Sequence, residues 1–555
     1  MRASGITARV EQPSLASLRW RGRLAAALLG AAAVAVPASQ QGGYFPPAWG
    51  WTAFGLVLAA ALGLGFRARV EVSVLQWALL AGIGSVLLWT ALSAAWSDSV
   101  PRTIDEVERT LVYVAAVGAV MFVVSTETVA YLLGGVVTAV VGVSVYALLH
   151  QPSGHDQLNP LSGPLGYGNA LGILDALSLL LALGFVFSPR LPRTARIGAV
   201  VATPVLGATL YLTYSRGSIA ALGAGLLMFG LCHPWLAGRR LRLAAALLAV
   251  TAVAALATAL ALTGETGRLV GKTYDAFRSP PAPRGKPSQR ILTLSGNFRP
   301  KYWSVAWSEY RSHPWLGSGA GTFDLYWDHN RKTSYGARDA HNLYLETLAE
   351  TGPIGLLLLV VTLLLPFGAA RYARRDPVLA AAAGAYLAFL LHAAADWDWE
   401  MPAVTIAGLL CGAALTLAAP GRRTLTPLVR WVALATLAAL GIFAAVAWRG
   451  NQLKAASTDD AAHGHYQAAL AKAHTAARLL PWDSEPWTLQ GVVQLAGEHR
   501  EEARTALRTA VAKDPHDWYP WYELARASTG RSRRAALRRA TGLNPIGIRQ
   551  VPPLR

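Results

Sequence analysis

Three ionisable side chains in this sequence are of the types that grip phosphate and move protons, one between apolar runs and two in the polar stretch that precedes a later one. Arg216 follows an apolar run in TYSRGSIAALGAG, Arg299 opens RPKYWSVAWSEY, and His341 lies in AHNLYLETLAETG just ahead of another apolar run. A guanidinium holds phosphate oxygens through a rigid fork of donors, so two of them on one side of a membrane suit a diphosphate carried on a lipid. An arginine between two apolar helices, with almost no loop to carry it into water, is costly and marks a functional site by default. The other reading, an arginine snorkelling to lipid phosphates, stays open. A lone histidine is more often structural than catalytic; His341 gains interest from its place at a water–lipid boundary and from the two arginines.

These side chains must be positioned by short helices in the stretch 297–355. Asp339 is expected to cap a helix starting at Ala340, with His341, Leu345 and Leu348 on one face and Glu346 and Glu350 elsewhere. Gly352-Pro353 should break the chain before the next apolar run. Upstream, Pro300 suits the first helical position, and Trp303, Trp307 and Tyr310 fall on one face of that helix. These aromatics pack the segment or seat it at the interface. Gly317, Gly319 and Gly321 in LGSGAGTF resemble a phosphate-cradling loop only superficially, because no strand-to-helix context accompanies them.

Composition decides what surrounds that stretch. With 53% hydrophobic and 15% charged residues over 555 positions and runs near twenty apolar residues, the chain reads as a polytopic all-α membrane protein. The net charge of +19 lies largely in short loops where the positive-inside rule places it, which argues against a nucleic-acid partner. Cys232 and Cys411 both lie in apolar runs, so packing is expected of them rather than a disulfide or thiolate metal site.

About thirteen spans are expected from hydropathy. Residues 1–23 form a basic cytoplasmic N-terminus, 24–263 carry spans one to nine, 264–352 form a large helical extracytoplasmic loop, and 353–448 carry spans ten to thirteen. Arg67 and Arg69, Arg190, Arg193 and Arg196, Arg239, Arg240 and Arg242, Arg371, Arg374 and Arg375, and Arg422, Arg423 and Arg430 all fall in predicted inner loops. The predicted outer loops 37–47, 150–165 and 396–402 contain no Lys or Arg. Asn169 and Tyr214 then lie near the outer boundary, as do Asp396 and Asp398. The tail, 455–547, is read as an extracytoplasmic tetratricopeptide-like domain: Pro481 and Pro515 stand 34 residues apart, as do Pro486-Trp487 and Pro520-Trp521, the period of that helix-turn-helix repeat. Such repeats would give a protein partner a place to dock.

The SRG string at Arg216, R-x-x-x-W from Arg299 to Trp303, HPWLGSGAGTF, and HN-x-x-L from His341 to Leu345 together resemble the O-antigen ligase superfamily. GYGNALG at Gly166 to Gly172 and HAAADWDWEMP at His392 to Pro402 match more loosely. The resemblance spans roughly residues 20–450 and implies a multi-pass enzyme of the cell membrane. It would transfer a glycan from an undecaprenyl diphosphate carrier to an acceptor on the outer face, without a metal or other cofactor. It further implies that Arg216 and Arg299 hold the diphosphate and that His341 activates the acceptor hydroxyl. A neutral histidine and fixed guanidiniums fit such a displacement, which would invert the anomeric centre. Asn169, Tyr214, Asn342, Asp396 and Asp398 are candidates to line the site or the acceptor side, with Trp397 and Trp399 stacking on sugars or anchoring at the interface. The acceptor is a glycan, a lipid or a protein; glycan polymerisation and protein O-glycosylation are alternatives on the same scaffold. Rivals from other classes are a transporter or flippase of lipid-linked sugars, for which Arg216 would line the pathway, and a scaffold presenting the repeats. Asp175, a carboxylate inside a span, has no assigned role.

Overall fold

A computed structural model describes residues 15–67, 69–150, 160–233, 296–374 and 376–551. The span expected at 243–263, residues 264–295 of the loop, the inner-loop arginines 239, 240, 242 and 375 and the first fourteen residues lie outside them. Eight helices run α1 (Leu15–Ala38), α2 (Pro46–Phe66), α3 (Val74–Ser93), α4 (Val100–Val123), α5 (Val129–Leu149), α6 (Gly168–Phe187), α7 (Arg193–Leu212) and α8 (Arg216–Cys232). After the gap come α9 (Arg299–Ser312), α10 (Phe323–Asn330), α11 (Leu343–Leu364), α12 (Pro377–Ala393), α13 (Pro402–Thr416) and α14 (Pro427–Ala462). Among the described residues eight helices are long and apolar enough to cross a membrane, and α8, α12 and α13 are shorter apolar helices. The protein is an all-α polytopic membrane protein.

Sequence pattern decides which helices are central. In α6, Leu171, Leu174, Leu177 and Leu181 are all buried, as expected of a helix apolar on every face and enclosed by others. Its neighbour α7 exposes Ile197, Val200 and Val201, the surface that lipid would cover. Buried Asp175 accepts a hydrogen bond from Ser144 Oγ at 2.7 Å, so this carboxylate ties α6 to α5. The buried run Ala380 to Ala383 lets α12 lie close to both α6 and α8. At Gly384, a Cβ would stand 2.4 Å from the carbonyl oxygen of Gly225 on α8, a backbone contact that only small residues allow. Gly384→Leu is therefore expected to part α8 from α12 and to destabilise the protein by at least about 1–3 kcal/mol. Thermal unfolding in detergent would measure it.

Segments expected to share a side do gather on one face of the bundle. Strand β1 (Glu71–Val72) pairs antiparallel with β2 (Arg423–Thr424), Arg430 donates to the carbonyls of Gly65 and Arg67, and Arg190 pairs with Asp376 at 3.0 Å. On the opposite face the Asp98 amide donates to Ser318 O at 2.9 Å and Tyr167 reaches Asp396 at 2.8 Å. Free Cys232 and Cys411 are both buried in the packing.

Two boundaries differ from expectation. The span expected at 107–124 is the latter part of α4, whose first turns carry Arg102, Asp105, Glu106, Glu108 and Arg109 at the site face. The span expected at 429–448 and the repeats expected from 455 are not separated: α14 runs unbroken from Pro427 to Ala462. Five longer helices follow, α15 (Tyr466–Leu479), α16 (Glu485–Ala496), α17 (Arg500–Lys513), α18 (Trp518–Ala527) and α19 (Gly530–Leu543), each packed on its predecessor, and a single turn at Gly547–Gln550 comes after them. Helices α15 and α17 are each 14 residues long and start 34 positions apart, at 466 and 500. The tail is docked on the body: Ser99 Oγ donates to Asp514 at 2.7 Å, Asn451 to Glu108 at 2.8 Å, and Arg331 to Asn544 at 3.1 Å.

Candidate active site

Arg299 is brought to its place by a strained turn. Asn297 and Phe298 both have positive φ, 48° and 68°, which asparagine tolerates and which costs phenylalanine about 1–2 kcal/mol. The Phe298 ring, 5.4 Å from Tyr335 and beneath Lys301, holds it there. Helix α9 then begins with Arg299, and Pro300 is its second residue rather than its first. Its buried face is Tyr302, Ala306 and Glu309; Trp307 is 48% exposed and Trp303 and Tyr310 are half-buried. Of the expected aromatic stripe, Trp303 and Tyr310 pack half-buried against the core around Tyr302 and Ala306, while Trp307 is left at the surface. The face is turned by Glu309, whose buried carboxyl accepts from Ser318 Oγ at 2.7 Å; burial pushes it up to about 8, against those hydroxyl hydrogen bonds.

Asp396 receives Arg299. Arg299 Nη2 lies 2.6 Å from Asp396 Oδ2, and its Nε donates to Ala395 O. Asn169 Nδ2 donates to the same Asp396 oxygen at 2.6 Å, and Tyr167 OH and the Trp397 amide donate to Oδ1 at 2.8 and 2.9 Å. Burial alone would raise this carboxyl, but Arg299 and the histidines beside it hold it down to about 2. Asp396 is therefore an ionised clamp rather than a lining group. A guanidinium has five donors, of which these contacts use Nε and Nη2. Asp398 also leaves the proposed lining: it is buried and accepts from His392 Nδ1 at 3.2 Å. Trp397 meets Tyr44 edge-on and Tyr167 at a tilt, with 5.0 and 4.7 Å between ring centres.

His341 lies outside any helix. The cap is Asn342, whose Oδ1 accepts from the amides of Tyr344 and Leu345 at 3.1 and 3.0 Å, and α11 starts at Leu343. The expected cap at Asp339 and the shared face of His341, Leu345 and Leu348 are thus both corrected, because Asn342 directly precedes the first helical residue and is placed to accept from its first free amides, while Asp339 stands three residues too early. Asn342 serves as this cap through its Oδ1. His341 adopts φ 58° and its Nδ1 lies 3.0 Å from Asp339 O. A carbonyl only accepts, so Nδ1 carries the proton and Nε2 keeps the lone pair. The ring stacks on Tyr302 at 4.6 Å and stands 6.3 Å from Trp397. Burial lowers its pKa, Arg299 lowers it further and Asp396 opposes them. Further along α11, Gly352 breaks the helical backbone at φ 69°, where the break was expected.

Arg216 is the first residue of α8, capped by Ser215, whose Oγ accepts from the Ser218 amide at 3.3 Å. Tyr214 ahead of it takes φ 49° and packs edge-on against Tyr211 at 5.8 Å. The structure thus gathers His341, Arg299, Asp396 and Asn169 into one layer, while Arg216 is tied to it through Ser218, as described below.

The glycine-rich loop cradles a carboxylate of the protein itself. The amides of Gly321 and Phe323 donate to Glu350 at 2.9 and 3.0 Å, so those amides are not left for a phosphate. A Cβ on Gly317 would meet the Glu350 backbone at 2.2 Å, and its φ is 74°; the glycines serve close packing. One cluster escaped the sequence reading because its members come from separate segments. Buried Asp339, Glu346 and Glu400 offer carboxylate oxygens within 4.8 Å of one another, a spacing at which a divalent cation could be held. Arg109 already supplies positive charge there by pairing with Glu400 and Glu106, and burial pushes Asp339 up to about 7, against Arg338 and Arg109.

The bundle and this layer define a multi-pass helical membrane protein with a polar, arginine-bearing site at one face. Residues 199–360 of the 555 match the family model described as O-antigen ligase. That match supports the superfamily resemblance and a ligase-type glycosyltransferase role in the membrane, and it contains Arg216, Arg299 and His341. No curated protein matches the chain.

Proposed function

We propose that the protein transfers a glycan from an undecaprenyl diphosphate carrier to an acceptor hydroxyl on the outer face of the cell membrane. The observation that carries this reading is the His341 imidazole, held as its Nδ1–H tautomer in a layer with Arg299. Its Nε2 takes the acceptor proton as the acceptor oxygen bonds to the anomeric carbon. The bond from that carbon to the diphosphate oxygen breaks, and the carrier leaves with the electron pair. Arg299 and Arg216 stabilise the charge that grows on the leaving diphosphate more than they stabilise the bound donor. A single displacement inverts the anomeric centre. The docked helical tail, a tetratricopeptide-like module in this reading, recruits the acceptor or an assembly partner beside the loop 313–335.

The test is transfer by the purified, reconstituted protein with a lipid-diphosphate glycan, with and without EDTA, following both product and released carrier. A general base must be neutral to act, so the rate should rise with pH along a single acid limb. Burial and Arg299 place its midpoint below the ordinary histidine value of about 6.5. Absence of carrier release with glycan, lipid and protein acceptors alike would turn the reading towards transport. Loss of transfer in EDTA would instead show a divalent-cation dependence, for which Asp339, Glu346 and Glu400 are the candidate ligands.

A further inference from the structure

His392 is used by none of the steps above, yet its ring is locked at both ends. Nδ1 lies 3.2 Å from Asp398 Oδ1 and Nε2 lies 3.3 Å from Ser218 Oγ. Ser218 Oγ also meets Ser215 Oγ at 2.7 Å and Asn169 O at 3.3 Å, and the Asn169 side chain closes the circuit on Asp396 at 2.6 Å. The order Asp–His–Ser is that of an activated nucleophile, but Ser218 is 0% exposed and His392 only 3%, so no substrate reaches the serine.

What the circuit joins is more informative. On one side Ser215 and Ser218 bracket Arg216 in the first turn of α8. On the other, Asp396 and Asp398 flank Trp397 in the loop that clamps Arg299. The contact at Gly225 and Gly384 sets how close α8 and α12 lie, and His392, near the end of α12, carries that spacing up to the site.

We propose that His392 is a positioning residue that holds the Arg216 turn and the Arg299 clamp at the separation one diphosphate requires. This rests on the reading of the two arginines as the diphosphate site. A ring with hydrogen-bonding atoms on opposite edges spans the gap between Asp398 and Ser218; asparagine reaches only the first and alanine neither.

The experiment is direct binding of undecaprenyl diphosphate to the full-length protein in phosphatidylcholine nanodiscs, alongside transfer kinetics, for wild type, His392→Asn, Ser218→Ala and the double variant. Each single variant is expected to weaken diphosphate binding and raise the donor KM about tenfold or more, since small misplacements of binding groups carry penalties of that order. Because both break one circuit, the double variant should be little worse than either alone. The acceptor KM should not move, which a general loss of folded protein would not achieve. Gly217→Ala provides a milder check, because its methyl would stand 3.1 Å from His392 Nε2 and displace the ring with every partner retained. Unchanged diphosphate binding in His392→Asn and Ser218→Ala would overturn the proposal, as would additive losses. If wild type itself bound no undecaprenyl diphosphate, the arginine reading would fall and the positioning role with it.

Discussion

Replacing His341 with asparagine is expected to lower transfer about 10²–10⁴-fold, the range for removing a positioned general base, while donor binding is retained. Asparagine is the cleaner replacement because His341 sits at φ 58°. Asparagine accepts that backbone, whereas alanine there costs about 1–2 kcal/mol and would mix a folding defect into the kinetics. The asparagine amide also keeps a donor for Asp339 O, so the local chain should hold its course. The stack on Tyr302 is lost, but Asn342 still caps α11. The loss should fall on kcat with the donor dissociation constant unchanged, and the residual rate should show no acid limb. Wild-type rates in His341→Asn would remove this residue from the chemistry.

The second large effect is at Arg299. Arg299→Ala should reduce transfer about 10²–10³-fold, the cost of one preorganised donor to developing charge. It should also destabilise the protein, because Asp396, at 4% side-chain exposure, would keep a buried charge without its cation. Breaking a buried pair typically costs about 3–5 kcal/mol. Tyr167, Asn169 and the Trp397 amide still donate to that carboxylate, which favours the lower end. The two consequences separate in an Asp396→Asn background. There the orphaned charge is gone, so Arg299→Ala should cost little stability and still abolish most transfer. Arg299→Lys should not rescue, since a lysine cannot hold both Ala395 O and Asp396 and still present donors in a fork. Full rescue by lysine would make Arg299 a mere counter-charge.

Both predictions concern residues visible in the sequence, yet their surroundings were read unevenly. Arg216 stands out because an ionisable group between apolar runs is costly wherever the chain goes next, and Arg299 and His341 stand out through the motif strings they open. Asp396, Asp398 and Asn342 were noticed, but as lining; nothing local distinguishes a carboxylate facing substrate from one facing Arg299, which lies 97 residues away. The cap at Asn342 could have been found by weighing it against Asp339 at neighbouring positions. His392 opens the loosely matching HAAADWDWEMP string and Ser218 follows the SRG string, but their pairing across 174 residues has no local signal.

The all-α class and the sharing of membrane faces by successive loops were determined by the amino-acid sequence alone, because transfer of each span into lipid and the bias of its flanking arginines are local sums. The 34-residue spacing of the tail was likewise written in its prolines. Which carboxylate holds which arginine, that α14 joins the last span to the tail without a break, and that the tail rests on Ser99 and Arg331 were decided only by the tertiary structure. Those outcomes depend on which helix faces meet, and contacts such as Gly225 against Gly384 set that geometry through backbone distances that no single segment contains.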